Sequence, residues 1–199
     1  DCLGKQNKTD EALMQYNKAL QLAETINDDN LTATSNQKLG NHYLKMNILI
    51  LADNHYQKVV DIRKKLNDEK GLAAVYNNLV VLSEQKNDPE GAMKYLKESL
   101  SIRRKLGNPV DLSLTLNRMG TFQLKNGQFE AAKTTFNEVI TLIDESTDKR
   151  AFVNATNLLT TACLETGDFN NAKKWIDKSH QLAEELNDNG YISNARYNE

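Results

Sequence analysis

The chain has 199 residues, 25 basic and 27 acidic, for a formal net charge of −2, which lacks the basic footprint of a nucleic-acid binder. Apolar residues make up 39%, or about 44% with the 9 glycines, slightly below the roughly 45–50% (glycine included) of a globular domain, and no run of about 18 apolar residues exists to span a membrane. Two prolines and 9 glycines are too few to punctuate a many-stranded β protein.

What organises so polar a chain is an internal repeat. Ala12, Ala52, Ala92, Ala132 and Ala172 recur every 40 residues. Four residues after each stands a bulky side chain: Tyr16, Tyr56, Leu96, Phe136, Ile176. Upstream, Leu39, Leu79, Met119 and Leu159 keep the same spacing, each followed by Gly40, Val80, Gly120 or Thr160. The apolar positions fall on one helical stripe at i, i+4 and i+7. In chain order the pattern predicts helices over 9–27, 31–46, 48–66, 69–86, 88–106, 109–126, 128–146, 148–166, 168–186 and 190–198. Asn47, Asn87, Gly127 and Gly167 mark turns within helix pairs, where Asn or Gly suits a left-handed C-terminal cap. Leu66-Asn67-Asp68, Leu106-Gly107-Asn108 and Leu186-Asn187-Asp188 separate one pair from the next. Pro89 behind Asp88 and Pro109 behind Asn108 read as first-turn prolines following an N-cap. Stacked pairs of this kind bury a core that no single pair supplies.

Leu39-Gly40-x-x-Tyr43, Ala52-x-x-x-Tyr56, Met119-Gly120 and Gly127-x-Phe129-x-x-Ala132-x-x-x-Phe136 resemble the tetratricopeptide repeat, in a form with a period of 40 rather than the usual 34. Long repeats of this kind occur in spindle-orientation adaptors, bacterial sensor and regulatory proteins and Rap-type regulators. The resemblance covers the whole chain. It implies an all-α, right-handed superhelix of about five helix pairs, with the first helix of each pair lining a concave groove.

The repeats are expected at 29–68, 69–108, 109–148 and 149–188, with partial ones at 1–28 and 189–199. Asp1-Cys2-Leu3-Gly4 reads as the tail of a first helix. The chain is therefore expected to be a single array cut from a longer protein. Its incomplete ends would expose apolar surface and permit end-to-end self-association. A cytoplasmic location is favoured, with a periplasmic sensor segment as the alternative.

The function expected is non-catalytic: a protein- or peptide-binding module, the sensing or scaffolding part of a signalling or transcription-regulatory protein. The alternative is the repeat domain of an enzyme or of a peptide-sensing phosphatase regulator. No Walker loop, GxGxxG, GxSxG or HExxH motif is present, so no cofactor, catalytic residue or metal site is assigned, and no nucleic-acid or membrane contact. Cys2 and Cys163 match no CxxC spacing, and Cys163 reads as a small core residue. His42 and His55, on facing helices, and Trp175, beside a buried position, read as packing residues.

Ligand-binding candidates follow from the groove. Gln37, Asn77, Asn117 and Asn157 recur in one register, and Asn41 and Thr121 share their face. Carboxamides both donate and accept, which suits the main chain of an extended peptide. Some tetratricopeptide domains hold acidic C-terminal tails in a clamp of two lysines, two asparagines and an arginine. By position Asn41, Asn78 and Arg118 match it, whereas Gln37 and Leu114 replace both lysines, which argues against that ligand. Arg118 is then the groove's candidate for an anionic group. A basic docking stripe is the second candidate, formed by Arg63-Lys64-Lys65 and Arg103-Arg104-Lys105. The last two repeats carry Asp144-Glu145 and Glu184-Glu185 in its place.

Overall fold

The structure, a computed structural model, describes residues 2–143 and 148–186. Among the described residues it is helical throughout, with no strand: α1 (Cys2–Thr25), α2 (Asp29–Lys45), α3 (Leu49–Lys65), α4 (Glu69–Gln85), α5 (Pro89–Leu106), α6 (Pro109–Lys125), α7 (Phe129–Leu142), α8 (Lys149–Glu165) and α9 (Phe169–Leu186). From α2 onward, helices begin every 20 residues. The expected helix at 190–198 and the predicted end of α7 at 146 lie outside the described residues. One expectation is corrected. Asp1–Gly4 was read as the tail of a separate helix, but α1 runs unbroken from Cys2. Asn7, in register with the turn residue Asn47, stays helical among Lys5, Gln6 and Lys8, and good helix formers continue a helix unless packing turns it.

The turns explain the spacing. Asn27, Asn47, Asn67 and Asn87 take φ of 53–58°, and Gly107, Gly127 and Gly167 take 70–72°. Around six of these positions the same pair of bonds closes the preceding helix. At the α2–α3 turn, for example, Asn47 N–H donates to the Leu44 carbonyl and Ile48 N–H to that of Tyr43. This is the Schellman arrangement, which satisfies carbonyls a helix end otherwise leaves bare. The next residue usually starts the following helix. Asp28, Asp68, Asp88 and Asp148 each accept from the backbone N–H three residues on, and Asn108 accepts from Val110 and Asp111. Such N-caps contribute about 1 kcal/mol each. Left-handed residue followed by cap reverses the chain in three residues, whether within a helix pair or between pairs.

The chain divides into two compact units, Asp1–Leu106 and Gly107–Glu199. In the first, each helix packs on its predecessor from α1 to α5, and α2 also touches α4. Its core gathers Ala33, Ala52, Tyr56, Val59, Val75 and Leu79, all 0–1% exposed. In the second, α6 to α9 pack in the same sequential way, and α6 touches α8. Ala132, Phe136, Leu159, Ala162, Cys163 and Ala172 form its core.

The repeated small position is set by the ring facing it. A Cβ on Gly40 would lie 2.6 Å from Tyr56 Cε1, and one on Gly120 would lie 2.6 Å from Phe136 Cε1. Where the bulky register position holds the smaller Leu96 or Ile176, the small position widens to Val80 or Thr160. Volume is conserved pair by pair, as a close-packed interior requires.

Candidate functional site

The expected binding residues stand on the first helices of the pairs. Gln37 and Asn41 lie on α2 and Asn77 and Asn78 on α4, in the first unit. Asn117, Arg118 and Thr121 lie on α6 and Asn157 on α8, in the second. All eight are half-buried. In Asn77, Asn117 and Asn157 the side-chain Oδ1 is buried and has no hydrogen-bond partner within the chain. Such an acceptor costs about 1–3 kcal/mol, and here it recurs at one register in three successive first helices. Thr121 Oγ1 donates to the Asn117 backbone carbonyl at 2.8 Å, not to its side chain. On α6, Val110 and Leu114 are exposed (64% and 63%) and precede Asn117, Arg118 and Thr121 at i+4 and i+3 spacings. One face of α6 thus presents apolar side chains, an amide, a guanidinium and a hydroxyl in sequence.

Asn41 has a second role that the sequence did not disclose. Its Oδ1 accepts from the Tyr56 hydroxyl at 2.7 Å, and burial pushes the Tyr56 phenol up to about 12. Asn36, at a register where other pairs carry Tyr76, Leu116 and Thr156, was also missed. It is 1% exposed, donates to the Thr32 carbonyl (2.9 Å) and lies 2.8 Å from His55 Nδ1. The signal was an amide standing where its equivalents are mostly apolar. His55 stacks on Tyr43 at 5.4 Å, and burial, then Lys58, lowers its pKa. His42 packs edge-on to Tyr16 at 6.0 Å.

The basic stripe is engaged between helices. Arg63 donates to Asn30 Oδ1 (2.9 Å) and lies 2.8 Å from Asp68, its side chain 12% exposed. Arg103 is buried. Lys65 pairs with Asp29 at 2.7 Å and Lys105 with Glu69, each joining the end of the second helix to the start of the first. Lys149 and Glu185 make the same clasp at 2.6 Å with the signs exchanged. Glu185 is therefore paired within the chain. Asp144 and Glu145 lie outside the described residues. Cys163 is 1% exposed and burial raises its thiol pKa, consistent with a core residue. Among the described residues no cluster of three or more His, Cys, Asp and Glu side chains could hold a metal, and no helix is long and apolar enough to cross a membrane.

Residues 72–107 and 115–145 match family models described as tetratricopeptide repeat. A curated relative, response regulator aspartate phosphatase A of Bacillus subtilis (strain 168), is 32% identical over 105 residues, 53% of this chain and 28% of that protein. The chain thus spans under a third of the length of this relative. Among solved structures, BtubC from P. vanneervenii superposes with a TM-score of 0.83 at 19% identity, over 93% of this chain and 77% of that one. A Rap protein complexed with Competence and Sporulation Factor gives 0.71 at 20% identity, over 96% and 54%. At these identities the structural likeness speaks to the fold. Residues 72–107 and 115–145 thus carry the tetratricopeptide-repeat signature, and the helix pairs described above share the fold of these structures.

Proposed function

We propose that the first-helix faces bind an extended peptide or protein segment without catalysing a reaction. In the second unit Asn117, Arg118, Thr121 and Asn157 would hold it. In the first unit Gln37, Asn41, Asn77 and Asn78 would do so. The observation that carries the reading is the register of half-buried amides whose Oδ1 atoms have no partner at Asn77, Asn117 and Asn157. Rotation of a carboxamide exchanges donor for acceptor, so each can meet either group of a passing main chain. Arg118 supplies charge for a carboxylate, and exposed Val110 and Leu114 supply apolar contact. Amides, a guanidinium and a hydroxyl hold a chain; none is a nucleophile or base near neutral pH. The likeness to a Rap protein solved with Competence and Sporulation Factor supports the reading. The match to response regulator aspartate phosphatase A favours one elaboration, in which the repeats are the sensing part of a phosphatase regulator.

The test is selection from a phage-displayed library of random linear peptides, followed by affinity measurement on Asn117→Ala/Arg118→Ala. A lost hydrogen bond to a charged group is worth about 1.5–3 kcal/mol, so binding should weaken about 10- to 100-fold, and the Arg118 share should shrink with salt. Selected peptides that bind the double variant with unchanged affinity would sink the proposal.

A further inference from the structure

The pairs α4–α5 and α8–α9 occupy equivalent positions 80 residues apart, yet the gap beside the second helix is built differently in each. In the first unit it is bridged. Gln57 of α3 reaches over to the Tyr95 hydroxyl of α5 at 3.3 Å while also donating to Asp53 at 3.1 Å, and Asp53 pairs with Lys86. In the second unit the equivalents of Gln57 and Tyr95 are Asn137 and Trp175. Asn137 is one methylene shorter and turns back to its own helix, donating to the Lys133 carbonyl at 3.0 Å. Trp175 has no hydroxyl to receive a bridge. Beneath them stands Cys163, where α4 carries the similarly small and buried Ser83. Two substitutions along one register therefore leave unbridged the space that a hydrogen bond spans in the first unit. The result is a cavity of about 240 Å³ lined by Lys133, Asn137, Cys163, Asp168, Lys174 and Trp175, among others.

The lining sets the ligand chemistry. Trp175 packs partly against the core, so its indole is fixed, and Lys174 Nζ stands 5.0 Å from the ring centre. Lys133 is charge-compensated by Glu130 (3.0 Å) and Asp168 (3.6 Å), and Asp168 also accepts from the Asn171 amide at 2.9 Å. This leaves the flat Trp175 indole with the mobile Lys174 side chain placing its ammonium over the ring. The volume lies below the roughly 300–1,000 Å³ of drug-sized sites, which selects a small molecule. We propose that this cavity between α7, α8 and α9 binds a small planar organic anion, its ring against Trp175 and its carboxylate toward Lys174. The site is separate from the first-helix faces, and its failure would leave the peptide reading intact.

Trp175 is the single tryptophan of the chain, so its fluorescence reports occupancy directly. Titration with benzoate should change the emission saturably, with a millimolar or tighter Kd, and benzyl alcohol, which has the ring without the charge, should bind severalfold more weakly. Cys163→Tyr puts a ring into the cavity and should abolish the response while circular dichroism is unchanged. Lys174→Met, on the exposed rim, should bring benzoate down to the affinity of benzyl alcohol. Absence of a saturable response in the wild-type chain would overturn the proposal. So would benzoate binding that survives in a folded Cys163→Tyr chain, or an unchanged benzoate affinity in Lys174→Met.

Discussion

Substituting Gly40 by alanine tests the pairing of small and bulky residues that sets each helix pair. The new Cβ would stand 2.6 Å from Tyr56 Cε1 and 2.7 Å from Cδ1, about 1 Å inside the ~3.5–4.0 Å of a favourable carbon contact. The ring has little room to retreat, because Tyr56 is 0% exposed and its hydroxyl is tied to Asn41. Overpacking of this kind costs about 1–3 kcal/mol. Against it, alanine improves on glycine inside a helix by about 0.8–1 kcal/mol. The net for Gly40→Ala is then a loss of about 1 kcal/mol. In a Tyr56→Leu background, which imitates Val80 facing Leu96, the clash disappears and the same substitution should stabilise by about 1 kcal/mol. The sign reverses, so the double-mutant cycle should give a coupling near 2 kcal/mol. Urea unfolding followed by far-ultraviolet circular dichroism measures all four chains. Gly40→Ala stabilising in both backgrounds would show that helix propensity, not packing, governs the position.

Further expectations concern turns, charge and pH. Asn87 holds φ at 54°, so Asn87→Ala should cost about 1–2 kcal/mol while Asn87→Gly is neutral or stabilising, both read from urea midpoints. Lys149 holds the Glu185 carboxyl below its ordinary range through a direct hydrogen bond. Carboxyl titration by NMR should show the Glu185 pKa rising in Lys149→Met and returning to its wild-type value in neither salt nor buffer controls. Burial, then Lys58, lowers the His55 pKa from the ordinary 6.5, so the unfolded chain binds this proton more readily. The His55 contribution is therefore complete above pH 6.5 and is lost as the pH falls through 6.5 toward the folded value. His55→Gln should flatten that part of the pH profile of the urea midpoint, and an unchanged slope would refute the assignment.

Most of the helix positions were legible because two local signals agree: an apolar stripe at helical spacing, and Asn or Gly followed by a capping residue. The start of α1 was not, since Asn7 looks like Asn47 in the sequence and only packing decides whether such a residue turns. The uniform turn geometry was also hidden. Asn27 and Asn67 stand between pairs and Asn47 and Gly127 within them, yet one arrangement of bonds serves all four settings. For the candidate site, the register of Asn77, Asn117 and Asn157 was visible as spacing, but the unpartnered Oδ1 atoms were not. The basic runs were visible as charge, whereas their counter-ions lie 36 residues away at Asp29 and Glu69. Local sequence shows a lysine. It does not show which helix end will stand beside it after folding. The cavity over Cys163 goes with the changes from Gln57 to Asn137 and from Tyr95 to Trp175, differences that acquire meaning only across a gap between helices.

Amide hydrogen exchange of the chain with a library-selected peptide tests most directly whether a peptide lies against the first-helix faces. Binding should slow exchange and shift side-chain amide resonances at Asn117 and Asn157, with the Asn157 shift lost in Asn117→Ala/Arg118→Ala. Protection confined to α7 and α9, with the Asn117 and Asn157 amides unmoved, would contradict the account.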